Sequence, residues 1–150
     1  MKILKIIGVL LVVALIIIQF YPKELNQSDE DSTADISRVY QVPEKVQKNL
    51  QVSCYDCHSN NTEYPWYNKV QPVALFLENH IKDGKEHLNF SEFGNYTTKK
   101  QKKKLKEISE EVEEGEMPLT SYTLIHWNAK ISDTDKKAII DWADNLRSSL

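Results

Sequence analysis

Pro43-Glu44-Lys45-Val46-Gln47-Lys48-Asn49-Leu50-Gln51-Val52-Ser53-Cys54-Tyr55-Asp56-Cys57-His58 is the stretch on which the reading of this chain turns. It opens with a proline compatible with the first helical position, and Val46, Leu50, Cys54 and Cys57 recur at spacings of three and four. Those spacings place all four on one face of a helix, so the cysteines continue an apolar stripe.

Three further stretches downstream carry the same period. The first opens at Pro72, with Val73, Phe76, Leu77, His80 and Ile81 expected on a buried side and Gly84 as the C-terminal cap. The next begins near Thr97 or Thr98, carries Leu105, Ile108 and Val112 on a narrow stripe, and ends at Gly115. The last has Ser132 as N-cap with Asp135 three residues on, then Ala138, Ile139, Trp142, Ala143 and Leu146 at core spacing. Sustained period-two alternation is absent, which predicts an all-α domain.

The chain has 150 residues, 41% of them hydrophobic and 27% charged, which is the composition of one globular domain with an appendage. A formal net charge of −3 argues against nucleic acid as the partner. Residues 1–21 begin with Lys2 and Lys5 and continue as an apolar run from Ile6 to Ile18, with no small-residue cleavage site after it. They predict an uncleaved signal anchor, a transmembrane helix with its lysine end inside and the remainder of the chain extracytoplasmic, in the periplasm. Residues 22–41 are polar and acidic, Asn26 to Thr33 above all, and read as a linker that buries too little apolar surface to order itself. The folded domain is expected over 42–150.

Cys54 and Cys57 are the chain's two cysteines, and with His58 they form C-x-x-C-H, the attachment pattern of c-type haem. Positions i and i+3 of a helix project to one side and reach two vinyl groups of one porphyrin, while the histidine at i+4 offers an imidazole nitrogen to the iron. Two other chemistries fit the cysteines less well. A thioredoxin-like redox pair sits beside a βαβ pattern, which is missing here. A zinc site needs further ligands beyond His58, from His80, His87 or His126, and no second paired-ligand motif is present.

Apart from the initiator, Met117 is the one methionine. It lies late in the chain, in Gly115-Glu116-Met117-Pro118, and is the first candidate for the distal iron ligand; His80, His87 and His126, or an open site, are the alternatives. Tyr64, Trp66, Tyr67, Trp127 and Trp142 suffice to wall a porphyrin, though most of them read as core. His80, on the apolar side of its helix, reads as a hydrogen-bonded core histidine. Lys99, Lys100, Lys102, Lys103, Lys104 and Lys106 crowd the start of the third helix while Glu107 to Glu116 crowd its end, against the helix dipole. That face is either simply solvated or a docking patch for an acidic redox partner.

Cys54-Tyr55-Asp56-Cys57-His58-Ser59-Asn60 with Tyr64-Pro65-Trp66-Tyr67, Leu88-Asn89-Phe90-Ser91-Glu92-Phe93, and Gly115-Glu116-Met117-Pro118 before Tyr122 and His126 together resemble the small bacterial haem-binding domain family. The likeness spans Val42 to about Leu146. It implies a relative of the class I cytochromes c, a helical domain around one covalently bound haem c. Cys54 and Cys57 would then be the thioether sites, His58 the proximal ligand and Met117 the distal one. The lysine-rich start of the third helix is not something the resemblance requires.

Single-electron transfer by a mono-haem cytochrome is the expected function. Nothing in the sequence resembles a substrate pocket, so an enzyme is not expected. The implied partners are the cytochrome c maturation machinery, redox proteins, and the membrane through the N-terminal helix. A five-coordinate haem that senses a small gas or reacts with peroxide is the alternative, and requires Met117 to be off the iron.

Overall fold

The computed structural model describes residues 2–28 and 32–150, so Asp29, Glu30 and Asp31 of the expected linker lie outside the described residues. The described residues form helices and no strand: α1 (Lys2–Ile18), α2 (Ile36–Val39), α3 (Glu44–Ser53), α4 (Tyr55–His58), α5 (Val73–His87), α6 (Thr98–Glu114), α7 (Thr120–Thr123) and α8 (Asp133–Ser149). Short 3₁₀ turns run over Trp66–Lys69, Phe90–Asn95 and Trp127–Ala129. The domain is all-α.

The transmembrane anchor is not supported. Among the described residues no helix is long and apolar enough to cross a membrane. The apolar run makes a helix of 17 residues, about 26 Å at 1.5 Å per residue, against a hydrocarbon core of about 30 Å. Beyond Ile18 the chain turns, and Gln19 is tied back to the domain. Its Nε2–H donates to the Gln71 carbonyl at 3.1 Å while its Oε1 accepts from Gln71 N–H at 3.0 Å. Lys23 Nζ continues this edge by donating to the Asn68 carbonyl at 2.8 Å.

In the described part of the polar segment after α1, Asn26 is tied to the domain by hydrogen bonds. Asn26 Nδ2 donates to the Ser59 carbonyl and to Thr62 Oγ1, both at 2.9 Å, and Lys85 Nζ donates to Asn26 Oδ1 at 2.5 Å. Further on, Asp35 caps α2 through Ser37 N–H, and Ile36 is fully buried.

α6 and α8 form the main helix pair. Ser109 Oγ donates to Asp144 Oδ1 at 3.1 Å while Gly115, at the far end of α6, lies beside Lys136, so the helices run antiparallel. Leu105, Ile108 and Val112 face Ile139, Trp142 and Ala143 in one core with Val46 and Leu50 of α3 and with Phe90 and Phe93. Burying side chains of this size supplies about 1.5–3 kcal/mol each, which outweighs the unfavourable placement of charge along α6. Lys103 and Lys104 also pair with Glu107, and Lys106 with Glu110, one turn further on. The expected caps form: Thr97 Oγ1 accepts from Lys100 N–H, Ser132 Oγ from Asp135 N–H, and Gly115 closes α6 at φ 78°, where a side chain would be strained.

α5 departs from its expected register. Val73 and Phe76 are exposed, and the inward line is Ala74, Leu77, Ile81 and Gly84. Gly84 is not a cap, because the helix runs on to His87. Its role is contact with α4: a Cβ at Gly84 would lie 2.7 Å from the Cys57 carbonyl oxygen and 3.2 Å from the Cys57 Cβ.

Candidate functional site

The helix through the cysteines is broken between them and α3. Cys54 has φ −129° and ψ −40°, which ends α3 and starts a separate turn in which Cys57 N–H and His58 N–H both donate to the Cys54 carbonyl. α4 is thereby turned off the α3 stripe and laid against Gly84 of α5.

His58 is held from behind. Its Nδ1 lies 3.0 Å from the Leu88 carbonyl, which can only accept, so Nδ1 carries the proton and Nε2 is left with its lone pair. Burial pushes the imidazole pKa below its usual range, which keeps the ring neutral. Phe90 meets the His58 ring edge-on at 6.3 Å and stacks on Tyr55 at 5.1 Å, restricting the ring further.

The two stretches flanking this contact are zipped together. Asn60 N–H donates to Ser91 Oγ, Asn60 Nδ2 to Glu92 Oε1 and Asn89 Nδ2 to Asn60 Oδ1, at 3.1, 3.0 and 2.8 Å. That network carries Leu88 to His58, and it explains physically why Ser59-Asn60 and the Leu88 to Phe93 stretch belong with the cysteine motif.

A cavity of about 530 Å³ opens between α4, α5 and α6 and the segment Met117 to Tyr122. Cys54, Cys57, His58 and Met117 all line it, so residues from opposite ends of the domain meet in one space. Leu50, Phe90, Ile108 and Val112 make much of the wall apolar. Its size is that of a site for a cofactor-sized ligand. Met117 reaches it because the Gly115 cap reverses the chain, and both Glu116 N–H and Met117 N–H donate to the Glu111 carbonyl.

Cys54 and Cys57 form no disulfide with each other. Burial, and then the neighbouring Cys57, pushes Cys54 up to about 12; burial, and then Asp56, pushes Cys57 up to about 11. A reactive dithiol needs the opposite shift, so a thioredoxin-like role does not fit. Among the described residues no group of three or more His, Cys, Asp or Glu side chains is disposed to hold a metal ion, which leaves the zinc reading without ligands.

The other candidates separate. His80 and His87 line the cavity, His80 with its Nδ1 on the Phe76 carbonyl at 2.9 Å. His126 does not line it; its Nε2 meets the Tyr67 hydroxyl at 2.6 Å and its ring stacks on Tyr122 at 4.3 Å. None of Tyr64, Trp66, Tyr67, Trp127 and Trp142 walls the cavity. Trp142 is in the α6–α8 core, whereas Trp66 and Trp127 are 78% and 79% exposed. The residues that reasoning from sequence missed are Gly84, the Leu88 carbonyl and the Asp56–Tyr122 pair, in which Tyr122 O–H donates to Asp56 Oδ2 at 2.7 Å.

A hydrophobic slot lined by two cysteine sulfurs, a buried imidazole anchored through Nδ1, and a thioether is a donor set that fits a haem. The family model described as a haem-binding domain matches residues 13–145 of the chain. No curated protein and no solved structure matches it.

Proposed function

The chain belongs to the haem-binding domain family, and from that premise we propose that it is a mono-haem c-type cytochrome that passes single electrons. The observation that carries this reading is the one cavity lined by Cys54, Cys57, His58 and Met117. Cys54 and Cys57 would hold the group by thioether links, and His58 and Met117 would ligate its iron. Bound there, haem supplies an iron that stores one electron reversibly. The chain's part is to fix its surroundings. The Leu88 carbonyl orients His58 and raises the basicity of its outer nitrogen, as such partners do for ligating histidines. Leu50, Ile108 and Val112 keep water off, and a thioether raises the reduction potential relative to a second histidine.

Thioether attachment needs the maturation machinery of an exported cytochrome, so the folded domain is placed outside the cytoplasm. Redox proteins are the partners and no substrate is turned over. The exposed lysines at the start of α6 favour an acidic partner, whose association then weakens as salt rises.

The test is expression together with that machinery. Haem should remain on the chain through denaturation and acidic organic solvent, and Cys54→Ser with Cys57→Ser should release it. Haem extracted from the wild type would sink the covalent reading. Carbon monoxide decides the alternative of a five-coordinate gas-binding domain, which draws support from Met117 being carried on a non-helical segment. Fast, tight binding to the ferrous wild type would favour it.

A further inference from the structure

Asp56 is one of the two spacer residues of the cysteine motif, a place where the attachment pattern specifies no residue type. Its carboxylate is nonetheless fully engaged. Oδ1 accepts from Glu63 N–H at 3.0 Å, Oδ2 accepts from Tyr122 O–H at 2.7 Å, and the Asp56 carbonyl accepts from Thr62 Oγ1 at 2.6 Å. Tyr122 lies on α7, the turn that follows directly on Met117, Pro118 and Leu119. That turn is only four residues long, has no side-chain cap and buries none of its residues. At its other end the segment is held by the Glu111 carbonyl at the close of α6. The phenol is therefore its main tie to α4. A hydrogen bond to an ionised carboxylate is roughly twice as strong as one between neutral groups, and the ring is fixed by stacking on His126 at an interplanar angle of 13°.

We propose that Asp56 is a positioning residue for the distal side of the site, fastening the Met117 segment through Tyr122 to the short helix that carries His58. The proposal rests on the reading of Met117 as the distal ligand. One bond between the helix of the proximal donor and the strap of the distal donor makes their separation a built-in length. Burial, and then Asp56 itself, pushes the phenol pKa well above its usual range, which keeps Tyr122 a hydrogen-bond donor. The bond acts as a latch between the two elements.

The experiment uses the full haem-loaded chain with Tyr122→Phe, Asp56→Ala and Asp56→Asn. Two readouts are taken together: the far-red sulfur-to-iron band with carbon monoxide affinity, and hydrogen exchange of the amides from Leu119 to Leu124. Tyr122→Phe and Asp56→Ala should each weaken the band, raise carbon monoxide affinity about tenfold and speed exchange of the segment about tenfold. Asp56→Asn, which keeps an acceptor, should recover most of both, and the double variant should be no worse than either single one. Unchanged exchange in Tyr122→Phe, or effects that add in the double variant, would overturn the latch. A wild type with no far-red band would instead refute the ligand assignment to Met117, and the exchange result would still decide whether Asp56 holds the segment.

Discussion

Gly84 of α5 lies against the backbone of Cys57, so close that a Cβ there would sit 2.7 Å from the Cys57 carbonyl oxygen. The clash is with backbone, which cannot rotate away as a flexible side chain can. Gly84→Ala must therefore push α4 off α5, at the 1–3 kcal/mol typical of overpacking, although alanine is the better helix former by about 1 kcal/mol. The expected outcome is a lower melting temperature and less haem incorporated per chain. Gly8→Ala is the control, since nothing lies within 4 Å of that position, and it should leave both quantities unchanged. Equal behaviour of the two variants would show that the close approach is not needed.

Asn26 offers a second test, of the segment that composition alone reads as an unordered linker. Its side chain bonds Ser59, Thr62 and Lys85, and its N–H donates to the Tyr64 hydroxyl at 2.7 Å. Asn26→Ala removes the side-chain bonds to Ser59, Thr62 and Lys85 at a half-buried position while keeping the N–H bond to Tyr64, a loss of about 1–3 kcal/mol. Urea unfolding should show the midpoint fall with the slope unchanged. A midpoint within error of wild type would mean the segment contributes nothing.

These two positions also show where reading the sequence stops. Residue types with local consequences were legible: the Ser132 and Gly115 caps and the Leu105, Ile108 and Val112 stripe lie where their spacing puts them. The single helical face expected for Val46, Leu50, Cys54 and Cys57, by contrast, is interrupted by the break at Cys54. Gly84 was misread as a cap because its reason is Cys57, a contact distant in sequence. Val73 and Phe76 were misplaced because the buried line of α5 follows that same contact rather than the most apolar face. The Leu88 partner of His58 is a backbone carbonyl, which no residue type announces. Asn26, in the polar segment, is held by bonds made across the chain, and composition counts only what can be buried. The N-terminal run is short for a span by its sequence and makes a helix of 17 residues, past which Gln19 bonds to Gln71.

Asp135 makes part of the stability dependent on acid. Its bonds from Lys45, at 2.7 Å, and from the Ser132 hydroxyl hold the carboxyl down at about 2, against 3.8 for the free group. The folded state thus has the lower pKa, so the stabilisation is complete above about pH 4 and is lost as pH falls toward 2. Lys45→Met and Asp135→Asn should each melt below wild type at pH 6, with the gap closing between pH 4 and pH 2 and narrowing in high salt. A gap that persists at pH 2 would show that the loss comes from packing and not from the charge pair.

Met117, His80 and His87 all line the cavity, so the distal ligand must be settled between a thioether on a strap and imidazoles on α5. His80 has its Nδ1 committed to the Phe76 carbonyl, which orients the ring along its own helix. His87 stands exposed near the end of α5. Met117 follows the Gly115 reversal and is tied by its own N–H to Glu111, and Tyr122 bonds its segment to Asp56 of α4, the helix that also carries His58. The soft sulfur favours ferrous iron over water or hydroxide. Met117→Ala should therefore abolish the far-red band, admit exogenous ligands and lower the reduction potential. Met117→His should restore six-coordination while leaving the potential low, which separates loss of sulfur from loss of the fold. His80→Gln and His87→Gln should leave the wild-type spectrum as it is. If instead one of those two changes the spectrum while Met117→Ala does not, the thioether is a packing group and the ligand comes from α5.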